Sequence, residues 1–115
     1  MHNWLRRKFE DQIFLKALVD DGKIIGSVRA YIRQGTCFIG RLIVHPDFQN
    51  QGIGTSLMHD IERRFTEAGR FELFTGHLSK RNMYIYQKLG YREFKRETVN
   101  KNLELVYMEK ANEMI

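Results

Sequence analysis

The sequence lacks most of the features that mark secreted, membrane-spanning or metal-binding proteins. It contains a single cysteine, Cys37, in 115 residues. No internal disulfide can form, and we expect a reducing, cytoplasmic location. No apolar run is long enough to span a bilayer, and the first residues lack the apolar centre of a secretion signal. The four histidines show no metal-ligand spacing, so we expect no metal.

The charge balance is basic and points to an anionic partner. The chain has 19 Lys and Arg residues against 14 Asp and Glu residues, which gives a net charge of +5. A nucleic acid and a small polyanionic ligand both suit this sign. Because the basic residues are spread along the chain among acidic ones, the sequence favours the small ligand. The length indicates one domain over residues 1–115.

Residues 42–58 form the most informative stretch. An apolar run, Leu42–Val44, predicts a buried strand that ends at Pro46. Gly52 and Gly54 follow in a loop, and an amphipathic helical pattern comes next. A turn of this kind presents backbone N–H groups and the positive end of a helix to an anion. The stretch therefore predicts a cradle for a phosphorylated ligand.

The rest of the chain alternates between strand and helix signals. The predicted strands are 12–19, 24–32, 37–45, 70–75, 91–99 and 103–109, and the predicted helices run from Gly52 to about 68 and over 80–89. Trp4, Leu5 and Phe9 share one helical face, which predicts a helix remnant within residues 1–11. The fold class is therefore α/β (α+β), with a mixed, mainly antiparallel sheet of about six strands.

Two motifs resemble those of the GNAT N-acetyltransferase superfamily. The segment from Val44 to Gly54, Val-His-Pro-Asp-Phe-Gln-Asn-Gln-Gly-Ile-Gly, is similar to the family's acetyl-CoA-binding motif. The segment from Asn82 to Tyr91, Asn-Met-Tyr-Ile-Tyr-Gln-Lys-Leu-Gly-Tyr, is similar to the second motif. The two motifs occur in the family's order, and the resemblance covers roughly residues 12–110. The resemblance implies a splayed sheet that holds acetyl-CoA in its gap, with a strand bulge opening it.

The resemblance assigns donor binding to residues 36–68, as strand, loop and helix, and to the second-motif helix at 79–91. The pantetheine arm would pair with Leu42–Val44, and the pyrophosphate would lie on the amides of residues 49–54. Ser79 stands where relatives carry Asn, with Asn82 as substitute. The residues assigned to acetyl-CoA are Leu42, Ile43, Val44, Gln49, Asn50, Gln51, Gly52, Ile53, Gly54, Thr55, Ser79 and Asn82.

The same resemblance implies direct acetyl transfer in a ternary complex, in which Cys37 is a core residue rather than a nucleophile. Tyr86 matches the general acid, and a phenol pKa near ~10 keeps it protonated at neutral pH. A backbone N–H near Ile43 or Val44 would polarise the thioester carbonyl. Glu72 is the candidate base because it lies on the strand beside the gap, and His77 is the alternative.

The resulting expectation is an acetyl-CoA-dependent N-acetyltransferase that acts on a small-molecule or peptide amine. The alternative is a non-catalytic CoA-binding or protein-interaction module with a degenerate fold. The family's usual N-terminal strand and helix are not recognisable before residue 12. A truncated chain, a naturally minimal domain and a homodimer that completes the sheet edge all explain this, and the homodimer is favoured. No membrane partner is expected.

Overall fold

The computed structural model describes residues 2–6 and 12–113. Within these residues one mixed sheet has seven strands in the order β1-β2-β3-β4-β5-β7-β6. The strands are β1 (His2–Arg6), β2 (Gln12–Leu18), β3 (Ile24–Arg33), β4 (Thr36–Val44), β5 (Arg70–Gly76), β6 (Arg92–Asn100) and β7 (Leu103–Ala111). The α-helices are α1 (Ile53–Arg64) and α2 (Lys80–Lys88), and a short 3-10 helix covers Pro46–Phe48.

β2, β3 and β4 form the antiparallel meander that the turn signals predict. The alternation in β2 buries Ile13, Leu15 and Ala17 on one face, while the residues between them stay partly exposed. Gly22 has a φ of 87° in the first turn, a conformation that glycine adopts at little cost. Local patterning therefore accounts for this half of the sheet.

The apolar side of α1 covers the same face of the sheet. Leu57, Met58 and Ile61 are fully buried there, and α1 packs against β2, β3 and β4. Each buried side chain of this size contributes about 1.5–3 kcal/mol to folding. The helix ends at Arg64, earlier than the predicted end near 68, because Phe65 leaves the helical region with φ −118° and ψ 54°.

β4 and β5 lie parallel but pair over only part of their length. The paired residues run from Thr36 opposite Arg70 to Ile39 opposite Leu73. Beyond Ile39 the two strands separate. The register of β4 against β3 shifts at the same level, and Arg41 has a φ of 53°. A bulge of this kind bends a strand away from its neighbour, which confirms the predicted splayed sheet.

The other half of the sheet consists of β5, β7 and β6. β7 lies between β5 and β6 and is antiparallel to both. Val106 and Met108 of β7 are fully buried, whereas every residue of β6 is exposed. β6 is therefore an edge strand that lies beyond the core. The described residues include no helix long and apolar enough to cross a bilayer.

Residues 2–6 correct one prediction. The spacing of Trp4, Leu5 and Phe9 predicts a helix within residues 1–11, but His2–Arg6 form β1, antiparallel to β2. The edge of β2 offers a row of backbone hydrogen-bonding groups, and pairing with them outweighs a short helical pattern. This strand makes seven in place of about six, and residues 7–11 lie outside the described residues.

Candidate active site

The loop between β4 and α1 forms a cradle suited to an anion. Asn50 and Gly52 have positive φ values of 64° and 80°, a backbone pattern that creates concave surfaces lined by N–H groups. Gly52 is the N-cap of α1, and it makes no side-chain capping bond. The first helical hydrogen bond runs from the Ser56 N–H to the Gly52 carbonyl. The preceding amides therefore remain for a ligand at the positive end of the helix.

Gly54 contributes in a different way from Gly52. It is buried, and a Cβ built on it would lie 2.9 Å from Cδ1 of Ile85 on α2. The absence of a side chain at Gly54 therefore lets α2 approach the first turn of α1. This close packing places the second-motif helix beside the anion cradle.

α2 supplies the second wall of a cleft of about 250 Å³, which we call the helix cleft. Arg81 and Lys88 line it, and their spacing of two helical turns puts them on one side of α2. Nη1 of Arg81 donates a hydrogen bond to Oδ1 of Asn50 at 2.9 Å. No acidic residue is among the described residues that line this cleft, so it is suited to a polyanion.

Most of the residues predicted to hold the donor lie in the helix cleft. Those that line it are Val44, Gln49, Asn50, Gly52, Ile53, Gly54, Thr55 and Asn82. Sequence reasoning missed Arg81 and Lys88. Their spacing of seven residues predicts that both lie on one side of a helix. Only the fold shows that this side faces the glycine loop.

A larger cleft of about 570 Å³ lies where β4 and β5 separate, and we call it the strand cleft. Both predicted catalytic residues, Glu72 of β5 and Tyr86 of α2, line it together with Leu42 of β4. Asn82 lines the strand cleft and the helix cleft alike. The two clefts are therefore adjoining parts of one site.

Tyr86 is almost completely buried, with 3% of its surface exposed. Loss of hydration raises the pKa of Tyr86 above its ordinary value of about 10. The phenol therefore carries its proton throughout the physiological pH range. Because it lines the strand cleft, it is suited to donating that proton to a group bound there.

Glu72 is held by an ion pair on the opposite wall. Its Oε1 accepts a hydrogen bond from Nη1 of Arg70 at 2.9 Å, and Nη2 of Arg70 donates to Oε1 of Glu109 at 2.7 Å. Arg70 therefore orients the Glu72 carboxylate. Oε2 of Glu72 accepts no hydrogen bond from the described residues, so it remains for a polar group in the strand cleft.

Two side-chain amides donate hydrogen bonds to backbone carbonyls at the edge of β4. Nδ2 of Asn82 donates to the Leu42 carbonyl at 3.1 Å, and Nε2 of Gln49 donates to the Val44 carbonyl at 3.3 Å.

Three residues predicted to contact the donor line neither cleft: Ile43, Gln51 and Ser79. Ser79 stands at the N-cap of α2, but its side chain makes no capping bond.

The remaining candidates have structural surroundings. Nδ1 of His77 accepts the Glu104 N–H at 3.0 Å, and His77 lines neither cleft. Cys37 is fully buried, and burial raises the pKa of its thiol, which disfavours the nucleophilic thiolate. Among the described residues, no three His, Cys, Asp or Glu side chains come together to hold a metal ion.

Comparison with known proteins agrees with this geometry. A sequence profile described as an acetyltransferase (GNAT) domain matches residues 2–112. No curated protein sequence matches the chain significantly. Among solved structures, an acetyltransferase from Bacillus cereus is 27% identical with a TM-score of 0.78, covering 87% of this chain and 72% of that one.

Two further structures are similar at lower identity. A GNAT family acetyltransferase from Elizabethkingia anophelis with acetyl-CoA bound is 24% identical, with a TM-score of 0.74, covering 88% of this chain and 76% of that one. The ribosomal-protein-S18-alanine N-acetyltransferase of Escherichia coli is 16% identical, with a TM-score of 0.80 and coverages of 92% and 72%. These likenesses concern the fold.

The profile match spans nearly the whole chain, and the strands, the splayed gap and the glycine loop all agree with it. The chain belongs to the GNAT acetyltransferase family.

Proposed function

We propose that this chain transfers the acetyl group of acetyl-CoA to a primary amine by direct transfer in a ternary complex. The observation that carries the proposal is the junction of the two clefts at Asn82. One cleft is suited to phosphates, and the other contains a buried phenol and a carboxylate. A phosphorylated donor that spans both clefts would bring its reactive end to Tyr86 and Glu72.

The helix cleft has the properties that the donor's phosphates require. The free amides at the start of α1 and the cations Arg81 and Lys88 supply hydrogen bonds and positive charge. No acidic residue among those described lines this cleft and opposes an anion. Acetyl-CoA supplies the activated acetyl group as a thioester, and its phosphates are the groups that this cradle suits.

The edge of β4 beyond Ile39 suits the extended arm of the donor. Residues 40–44 have no β5 partner in the described sheet, so their backbone groups on that side can pair with a ligand. The Leu42 carbonyl already accepts a hydrogen bond from Asn82. Asn82 therefore marks the point where α2, β4 and the ligand would meet.

Tyr86 is proposed as the general acid. Burial keeps its phenol protonated, and the side chain lines the strand cleft. A sulfur that leaves as a thiolate gains a proton most directly from such a group. The hydroxyl of Tyr91, the other buried tyrosine, instead donates to Glu62 at 2.7 Å, outside both clefts.

Glu72 is proposed to receive the proton that the acceptor amine must lose. A primary alkyl amine is protonated at neutral pH, since its pKa lies near ~10.4. The Glu72 carboxylate can attract this cation and accept its proton, directly or through a water molecule. Glu72 lines the strand cleft, and Arg70 donates a hydrogen bond to its Oε1, which leaves Oε2 for the amine or a water molecule.

The first test is thermal unfolding with acetyl-CoA. A ligand at ~100 times its dissociation constant adds about 2.7 kcal/mol to the free energy of unfolding, which raises the melting temperature clearly. The absence of any shift at millimolar acetyl-CoA would refute the proposal. Release of CoA above the hydrolysis background with any primary amine would exclude the non-catalytic alternative.

The second test separates catalysis from donor binding. Tyr86→Phe removes only the hydroxyl, and we expect turnover to fall by roughly 100-fold or more while the dissociation constant of CoA stays within about twofold. Tyr91→Phe is the matched control, because it removes a buried hydroxyl that faces Glu62. Equal turnover in wild type and Tyr86→Phe would remove Tyr86 from the mechanism.

A further inference from the structure

The strand cleft contains two arginine side chains to which the proposed donor site gives no role. Arg29 of β3 and Arg41 of β4 both line it, and both are exposed. Among the described residues neither has an ion-pair partner. The Arg29 guanidinium lies 6.0 Å from the centre of the Phe14 ring, a cation–π contact that leaves its N–H groups available.

The opposite wall has the complementary charge. Glu72 lies on β5 and pairs with Arg70, which also pairs with Glu109, so these three side chains together keep one negative charge. Arg29 pairs with Gly40 on β4, and Phe38 of β4 pairs with Glu72. By standard strand spacings, the Cα atoms of Arg29 and Glu72 are roughly 12 Å apart, a span that an α-amino acid with both its charged groups hydrogen-bonded can bridge.

Aromatic side chains lie between these charged groups. The rings of Tyr31 and Phe38 stack with a centroid distance of 5.4 Å and an interplanar angle of 25°. Phe74 of β5 also lines the cleft and is 56% exposed. An exposed aromatic surface beside a carboxylate and an unpaired guanidinium suits an apolar group that carries both an amine and an acid.

Arg41 also favours a ligand that carries an acid group. It occupies the bulge of β4 with a φ of 53°, a conformation in which a residue other than glycine is uncommon. The bulge therefore places a second unpaired cation in the lining of the same cleft. A purely cationic acceptor would add positive charge to a wall that has two unpaired guanidinium groups.

We propose that the acceptor is a zwitterionic, amino-acid-type amine with an apolar side chain. Its carboxylate binds Arg29, with Arg41 adding positive charge, and its amine faces Glu72. Its apolar part lies on Tyr31 and Phe38. This inference rests on the proposed function, since it assigns the strand cleft beside Tyr86 to the acceptor.

The test measures the contribution of the carboxylate. CoA-saturated protein is titrated with leucine, methionine and phenylalanine, each compared with its amide and its decarboxylated amine, and with spermidine as a cationic probe. Binding is followed by calorimetry or ligand-observed NMR, so the readout does not require turnover. We expect at least one amino acid to bind tenfold or more tightly than its amide, and spermidine to bind more weakly still.

Arg29→Gln should reduce this preference to about twofold or less, and Arg29→Lys should retain part of it. The dissociation constant of CoA should remain unchanged in both. Arg33→Gln is the matched control, because Arg33 is an exposed arginine of β3 that lines neither cleft. It should keep the full preference.

Several results would overturn the inference. These are equal or tighter binding of the amides, preference for spermidine, binding of no probe to CoA-saturated protein, or an Arg29→Gln variant that keeps the preference. Weakened CoA binding in Arg29→Gln would instead assign Arg29 to the donor. Failure of the proposed function is distinguishable, because wild-type protein would then show no thermal shift with acetyl-CoA.

Discussion

Glu62 joins three parts of the molecule through its carboxylate. Oε2 accepts the Tyr91 hydroxyl at 2.7 Å, and Nζ of Lys110 donates to Oε1 at 2.9 Å. The carboxylate side chain is 11% exposed and Tyr91 is 2% exposed. These hydrogen bonds connect Glu62 of α1 with Tyr91, which follows the turn after α2, and with Lys110 of β7. This cluster of hydrogen bonds lies outside both clefts, so its role is to stabilise the fold.

Tyr91→Phe should lower the free energy of unfolding by about 1–2 kcal/mol at pH 7, because it removes a buried hydrogen bond to a charged group. Burial and Glu62 together raise the pKa of Tyr91 above its ordinary value. The unfolded chain loses this proton above pH ~10 while the folded chain keeps it, so this stabilisation decreases as the pH rises. The difference between wild type and variant should therefore narrow above pH 10 in denaturant titrations.

The control is Tyr107→Phe. The Tyr107 hydroxyl donates to Oε1 of Glu97 at 2.9 Å, but this pair lies on the surface. We expect a change within about 0.5 kcal/mol for such a substitution. Equal destabilisation by Tyr91→Phe and Tyr107→Phe would show that burial does not increase the contribution of the Tyr91–Glu62 hydrogen bond to the free energy of unfolding.

The shape of the helix cleft depends on how closely α2 approaches α1. The two helices pack together at Gly54, where an added Cβ would lie 2.9 Å from Cδ1 of Ile85. Substitutions at this contact act on both helices at once. They therefore test whether helix packing, rather than the glycine loop alone, forms the helix cleft.

Gly54→Ala should cost about 1 kcal/mol or more of stability and weaken CoA binding, because the methyl group overpacks the contact between the helices. The double variant Gly54→Ala/Ile85→Val removes the opposing Cδ1 and should recover most of both losses. Ile85→Val alone is the control for the cavity. Urea unfolding and CoA titration measure the two effects, and a failure of the double variant to recover would contradict this account.

Sequence reasoning succeeded for elements whose signals are local. The strand, glycine loop and helix around residues 42–58 follow from consecutive residues, and the β2–β4 meander follows from turn residues and alternation. Arg29, Arg41, Arg81 and Lys88 were missed, because their significance depends on elements that meet only in the fold. β1 was missed for the same reason: its pairing with β2 outweighs its local helical pattern.

The net charge of +5 on the chain and the cations of the helix cleft both attract the anionic donor. Among the described residues, most of the basic side chains lie outside both clefts, and Arg70, Arg96 and Lys110 are paired with carboxylates. Arg81 and Lys88 have no ion-pair partner among the described residues. Donor binding should therefore depend on a small number of local charges.

The dissociation constant of acetyl-CoA should rise roughly three- to tenfold between 0.05 M and 0.5 M salt, because screening weakens its attraction to the cleft. Lys88→Gln should raise the constant at low salt and reduce its salt dependence. Lys101→Gln, in the turn between β6 and β7, should change neither. Equal salt dependence in all three proteins, measured by calorimetry, would show that the helix cleft does not bind the phosphates.

The short pairing of β4 with β5 has a consequence for how the molecule folds. The β2–β4 meander and the β6–β7 hairpin join neighbours in sequence, whereas Thr36 and Arg70, which meet at the junction, are 34 residues apart. Contacts of long sequence separation carry a higher loop-closure cost and generally form late. The two halves of the sheet can therefore organise separately, and the strand cleft comes into existence only when they join. We therefore expect the reaction site to form late in folding, together with the β5–β7 pairs, which join residues 29 to 41 apart in sequence.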